Sequence, residues 1–415
     1  MSWSEKSLDQ LGFVSRGKSR HRPRDAAHLY GGPYPFVQTG DVKHAGLYLT
    51  DYSQTYSEEG LAQSKLWPAG TLCITIAANI ADTSILAIDA CFPDSVIGFI
   101  PDPEKADARF VKYLFDAVLK LQYRQFTQGA AQDNLSQAKL LALKFLVPDD
   151  VKEQSRIADF IATYDELIEN NRRRIQLLEE SARLLYQEWF IYLRFPGHEQ
   201  VKITDGVPEG WSETELGKLF SIKHGYAFKG EYFSDEETGK ILLTPGNFKV
   251  GGGLKLEKKK FYKEDGPVPD DYVLSENDLL ITMTDLSKMS DTLGYPMLVP
   301  KFEGTKFLHN QRLGLVIPVI DDFPKYFVSH LLQDYRYRAF IVGSATGTSV
   351  KHTAPKKITS FKVCIPSVSS NLITIFNDYT ANIYRQISML TVQNHKLAQA
   401  RDLLLPKLMS GELTI

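Results

Sequence analysis

Six side chains in one short stretch, Arg16, Lys18, Arg20, His21, Arg22 and Arg24, are cationic or can become so, and no acid intervenes before Asp25. Gly17 and Pro23 punctuate the stretch, so it reads as a loop. A cationic loop can contact phosphates, and arginine can also fork onto guanine edges; a solvated loop or linker is the plain alternative. The second half carries a comparable patch, Lys255, Lys258, Lys259, Lys260 and Lys263, with Phe261 and Tyr262 interleaved. Lysine runs also serve solubility, so this signal is weaker. Residues 347–352 offer small polar side chains and backbone amides, and Thr348 and Lys351 are its candidates for phosphate contact, a structural turn being equally open. Asn79, Asp82 and Ser84 follow one apolar run, and Asp285, Ser287 and Lys288 follow its counterpart; from there they could reach a groove. The candidate DNA contacts are therefore Arg16, Lys18, Arg20, His21, Arg22, Arg24, Asn79, Lys258, Lys259, Lys260, Ser287, Lys288, Thr348 and Lys351.

Bond-making chemistry leaves no comparable trace. No Gly-x4-Gly-Lys-Ser/Thr loop cradles phosphates. A Gly-rich cofactor turn followed by an Asn/Asp-Pro-Pro-aromatic box, as an adenine methylase needs, is not found. Histidines and cysteines show no metal-ligand spacing. Residues 148–152 (PDDVK) hint at a nuclease metal site, but two acids before a long helix are better read as complementing its positive end. Asp94 and Asp102 read as solvated loop residues. No catalytic or metal-binding residue is expected.

The elements that carry these loops are duplicated. Trp3 with Leu11-Gly12 returns as Trp211 with Leu216-Gly217; residues 70–75 (GTLCIT) return as 277–282 (NDLLIT); residues 140–148 (LLALKFLVP) return as 357–366 (KITSFKVCIP). A period of about 200 residues is too long for a solenoid and means duplicated domains. Within the first half, 72–76 and 97–100 read as strands, and 107–127 as a helix with Phe110, Leu114, Val118 and Leu121 on one face. Each half closes with a long amphipathic helix. In the first, Ile157, Ile161, Tyr164, Ile168, Asn171, Ile175, Leu178, Ala182, Leu185 and Trp189 recur at intervals of four and three, a coiled-coil seam with one polar member. In the second, from about Ser369, Phe376, Ile383, Leu390, Leu397 and Leu404 fall at sevens, with Tyr379, Gln386, Gln393 and Ala400 as the weaker intervening seam and Pro406 and Gly411 as the end. Two such helices, separated by a domain, can pair antiparallel.

Composition sets the frame. The 415 residues carry a net charge of −2, so an anionic partner must be met by a local surface and not by a global field. Three isolated cysteines suit a reducing compartment. No signal peptide and no membrane span is legible, and a cytoplasmic location is expected.

The chain resembles the specificity subunits of type I restriction-modification systems, and the resemblance runs through essentially its whole length. The most specific match is the strand-to-helix junction Val147-Pro148, Val151-Lys152-Glu153-Gln154 and Ile157-Ala158. Residues 129–136 (GAAQDNLS) and 348–352 (TSVKH), the ending 403–413 (LLLPKLMSGEL), and Gly225 to Lys229 with Asn310 to Leu313 carry the rest. The second junction departs from the first, with no glutamine equivalent to Gln154. The resemblance implies an α+β protein with two mixed target recognition domains, separated by two long antiparallel coiled-coil helices in a pseudo-twofold repeat. Its expected layout is target recognition domain 1 over 1–150, the first spacer helix over 151–195, linker and target recognition domain 2 over 196–366, and the second spacer helix with the tail over 367–415. It implies a non-catalytic subunit that recognises a bipartite, asymmetric site in double-stranded DNA. Its partners would be two adenine-N6 methyltransferase subunits and, where the system has one, a restriction subunit. S-adenosylmethionine, ATP and magnesium would belong to those partners, so no cofactor is expected here and no membrane. A coiled-coil scaffold that binds proteins and not DNA is the competing class.

Overall fold

Trp3–Lys6 and Phe145–Pro148, strands from opposite ends of the first half, pair antiparallel and set Trp3 against Pro148. In the second half Trp211–Glu215 and Lys362–Pro366 do the same, with Trp211 against Pro366. The duplication therefore reaches the level of strand register. These ribbons occur in a computed structural model that describes residues 2–77, 80–119, 135–256, 259–287 and 289–415. The chain divides into two compact units, one of Met1–Asn171 with Asn394–Ile415, the other of Arg172–Gln393.

In the first unit a five-stranded sheet runs in the order Gly12–Arg16, Val96–Pro101, Leu72–Thr75, Thr83–Leu86, Tyr48–Leu49, antiparallel except for its last pair. The expected strands at 72–76 and 97–100 are its centre. Leu72, Ile74, Ile97 and Phe99 are fully buried and pack with Phe110, Val111 and Leu114 of the helix Ala108–Leu114. That helix continues as a wider turn over Phe115–Leu119; the remainder of the expected 107–127 helix, with Leu121, lies outside the described residues. The second unit repeats the centre as Phe220–His224, Leu313–Pro318, Leu279–Thr282 and Pro296–Leu298. The tight turn before each central strand needs a left-handed residue. Gly70 supplies it at φ 86° in one unit and Asn277 at φ 63° in the other, and asparagine is among the few side-chain-bearing residues that tolerate this region.

Two long helices, Val151–Tyr186 and Asn371–Met409, each contribute to both units. All ten expected seam positions of the first are buried or half-buried. In the first unit the helices run antiparallel: Asp165 accepts from Arg401, and Asn171 Nδ2 donates to Asn394 Oδ1 at 3.0 Å. In the second unit the end of the first helix meets the start of the second, with Tyr186 and Trp189 packed on Phe376 at centroid distances of 6.0 and 5.9 Å.

Two expectations for the second helix need correction. Tyr379, Gln386 and Gln393 are exposed; the buried or half-buried stripe runs through Phe376, Thr380, Ile383, Ile387, Leu390, Asn394, Leu397, Arg401, Leu404 and Leu408. Polar Thr380, Asn394 and Arg401 disguise that stripe in the sequence. Nor does Pro406 end the helix, which continues to Met409. Leu405, Leu408 and Met409 are buried in the first unit's core, and their burial, about 1.5–3 kcal/mol for each large apolar side chain, offsets the hydrogen bond the proline removes. Gly411, at φ 73°, is the stop.

Gln154, read as part of the junction motif, is wholly buried. Its Oε1 accepts from the Asp107 backbone N–H at 3.1 Å, and its Nε2 donates to the carbonyls of Pro148 and Lys105 at 2.9 and 3.1 Å. It ties the first turn of the long helix to the sheet domain.

Candidate nucleic-acid interface

The cationic loop of the first unit begins at the end of the edge strand Gly12–Arg16. Gly17 is required there, because a Cβ would lie 2.3 Å from the Phe92 carbonyl oxygen. The loop is built and not loose. Arg16 donates through Nε and Nη2 to the Asp94 carbonyl at 2.8 and 2.6 Å. Arg24 Nη2 lies 2.9 Å from each oxygen of the Asp94 carboxylate. Arg22 Nη1 donates to the carbonyls of Ser19 and His21, both at 2.8 Å, and His21 Nδ1 lies 3.1 Å from the Pro23 carbonyl. Asp94 is thus the hub of the loop and not a merely solvated residue.

Arg16, Arg22 and Arg24 are exposed yet tied within the loop. Lys18 and Arg20 are exposed, while the backbone of Arg20 and His21 is held by Gln63 Oε1 at 2.6 and 3.0 Å. Beside them Lys65, which the sequence reading missed, sits 3.6 Å from the ring centroid of Trp67 and 4.6 Å from that of Phe13. Burial, and then neighbouring Lys18, push its ammonium below the usual lysine value. Phe13 itself is 54% exposed. Lys18, Arg20, Lys65 and Phe13 combine cations with an aromatic face, the two kinds of group nucleic acids engage. Of its two aromatic partners Trp67 lies two residues along the chain, whereas Phe13 comes from the strand Gly12–Arg16, a neighbour the local sequence does not show.

Asn79 lies outside the described residues. Ser84 is fully buried in its strand with its hydroxyl on the Gly46 carbonyl at 3.3 Å, and Asp82 bonds back to Thr75 through its backbone. Ser84 therefore does not face a groove.

In the second unit the structure brings two separate candidate stretches together. Thr284–Asp285 pairs antiparallel with Lys351–His352, Asp285 against Lys351 and Thr284 against His352. Thr284 Oγ1 also lies 3.1 Å from His352 Nδ1. Asp285 is buried and not a groove contact. Its carboxylate accepts from the backbone of Ser287 at 2.6 Å, of Thr292 and of Leu293 at 3.0 Å, and from the Thr292 hydroxyl at 2.8 Å. Burial pushes its carboxyl up, but those backbone and hydroxyl donors outweigh it and hold the group below its usual value. Asp285 thus shapes the loop that presents Ser287, exposed Leu286 and exposed Met289. Lys288 lies outside the described residues. Thr348 is exposed on the facing turn, where Gly347 adopts φ 95° and a Cβ would meet the Val350 carbonyl at 2.0 Å.

The lysine patch is more occupied. Lys259 pairs with Glu237 at 3.6 Å, Lys260 lies 3.8 Å over the Phe233 ring, and Lys263 donates to the Glu231 carbonyl at 3.2 Å; Lys258 lies outside the described residues. Gly225 to Lys229 and Asn310 to Leu313, the two stretches noted in the resemblance, bond directly: Tyr226 N donates to His309 O at 2.9 Å and Gln311 N to Tyr226 O at 3.0 Å.

Among the described residues no group of His, Cys, Asp or Glu could hold a metal ion, and no described helix is long and apolar enough to cross a membrane. The structure thus holds a duplicated sheet domain, one copy in each unit, with two long helices that contribute to both units. Residues 2–180 match the type I restriction modification DNA specificity domain. The chain is 23% identical to the MjaIX type I restriction enzyme specificity subunit of Methanocaldococcus jannaschii, over all of this chain and 94% of that one. It is 22% identical to the HindI specificity subunit of Haemophilus influenzae, over 99% of each. The crystal structure of a type I restriction-modification S subunit from M. genitalium shares the fold, with TM-score 0.57 at 16% identity over 98% of this chain and 96% of that one. Residues 2–180 thus carry a type I restriction modification DNA specificity domain, and along its whole length the chain is similar to specificity subunits of type I restriction enzymes.

Proposed function

We propose that this chain gives a type I restriction-modification complex its DNA address, each sheet domain reading one half of a bipartite site. One observation carries the reading: two domains matched in strand register carry unlike side chains outward, exposed Lys18 and Arg20 with half-buried Lys65 on one, and exposed Thr348 with half-buried Ser287 and Lys351 on the other. Matched scaffolds with unmatched surfaces suit two different half-sites and hence an asymmetric sequence. Methyl transfer to adenine N6 belongs to two methyltransferase subunits docked on the paired helices, with a restriction subunit added where the system has one. Those partners bring S-adenosylmethionine, ATP and magnesium; this chain holds duplex while the target base is turned out into a partner's pocket. The cytoplasm is the compartment where these partners and DNA meet.

Methylation mapping of host DNA with and without this gene tests the proposal. A single bipartite adenine-methylated sequence should vanish with the gene. Methylation of DNA by the purified chain alone, or an unchanged methylation map, would overturn it.

A further inference from the structure

The duplication creates a pairing problem. Two helices with equivalent seams can pair with each other, or each can pair with its own copy in a second molecule. The buried positions Ile157, Ile161, Asn171, Tyr186 and Trp189 of the first helix align at one constant offset with Phe376, Thr380, Leu390, Leu405 and Leu408 of the second. That offset equates Asn171 with Leu390 and Asn394 with Ile175. The seam is therefore not symmetric: an amide stands where the repeat has leucine, and a second amide where it has isoleucine.

In the observed pairing Asn171, 3% exposed, donates to Asn394 Oδ1 at 3.0 Å. If two first helices paired in this register, each Asn171 would face Ile175 of the other copy. Two second helices would set each Asn394 against Leu390 of the other copy. Either self-pairing loses the amide–amide hydrogen bond and sets two amides, buried for Asn171 and half-buried for Asn394, opposite aliphatic side chains, which is disfavoured. A single polar residue in a coiled-coil seam is known to fix register and partner in this way.

We infer that Asn171 and Asn394 form a selectivity lock: the seam of the first helix accepts the second helix and refuses a second copy of itself. On the DNA-specificity reading, a self-paired dimer would join like domains and read a symmetric site. The lock then keeps the readout asymmetric, although its test does not depend on DNA.

The test uses the full-length chain, with association followed by sedimentation velocity over a concentration series and stability by thermal melting. Asn171→Leu alone leaves Asn394 facing leucine and should melt about 2–6 °C lower. Asn171→Leu with Asn394→Ile restores an apolar seam. It should recover at least the parent melting temperature while its dimerisation constant rises at least about tenfold over the parent. If the single variant does not fold, the double variant carries the measurement. A double variant that dimerises no more than the parent over the same concentrations overturns the inference, as does a single variant as stable as the parent.

Discussion

Arginines that look alike in sequence have different fates. Arg16 and Arg24 converge on Asp94, and Arg22 folds onto two carbonyls of its own loop. All five strong bases of the loop are exposed, but only the side chains of Arg20 and Lys18 are left without a hydrogen-bond partner among the described residues. The sequence showed a cationic loop but not this division, because Asp94 and Gln63 are distant in the chain. On the proposed function, Lys18→Ala with Arg20→Ala should weaken binding of the assembled complex to all DNA sequences. It should also flatten the slope of log affinity against log salt by about 2, roughly one for each phosphate left without its cation. Fluorescence titration at several salt concentrations reads this, and an unchanged slope would remove both residues from the interface. Buried histidines make a separate prediction. Burial, and then Arg183, push His330 down to about 3; its Nε2 lies 3.3 Å from the Tyr384 hydroxyl. The native state holds this ring neutral, whereas the unfolded chain takes up its proton near pH 6.5. Stability is therefore complete above about pH 6.5 and declines as pH falls toward 3, by about 2 kcal/mol between pH 6.5 and 5. Denaturant titrations should show a smaller loss over that window in His330→Gln; equal losses in variant and parent would mean that the histidine does not contribute.

Helices and strands were legible where burial follows period. The central strands Leu72–Thr75 and Leu279–Thr282 and the first helix's seam match their apolar patterns. The second helix's seam was misplaced because its polar members find partners once folded: Thr380 Oγ1 returns to the Phe376 carbonyl of its own helix at 2.8 Å, while Asn394 and Arg401 meet Asn171 and Asp165 of the first helix. The junctions teach the same lesson in reverse. Gln154 fills a polar niche in the first unit, whereas the aligned Ile373 is 1% exposed in the apolar core of the second. The two equivalent positions are thus built by different chemistry on one backbone plan. Gln154→Ile should leave the Asp107 N–H and two carbonyls without their partner and destabilise the chain by roughly 2–4 kcal/mol. Chemical denaturation would measure it. Stability equal to the parent would show that the niche accepts an apolar side chain as readily as its counterpart does.

At the scale of the molecule, the proposed function makes the paired helices a ruler between half-sites. Asn171 and Asn394 face each other, so a cut beside them falls at one level of both helices. One heptad inserted after Asn171 and one before Asn394 keeps the seam in phase, since seven residues complete the coiled-coil repeat. Each helix then lengthens by about 10 Å. Duplex DNA rises about 3.4 Å per base pair, so the preferred gap between half-sites should grow by about three base pairs. The half-site letters should not change, because every loop of both sheet domains is untouched. Inserting a heptad in only one helix leaves seven residues unmatched and should cost stability without a clean shift in spacing. Methylation mapping in a host that carries the variant with its partner subunits decides the matter. A gap unchanged at full activity would show that the helices do not set the distance, and altered half-site letters would show that they take part in reading bases.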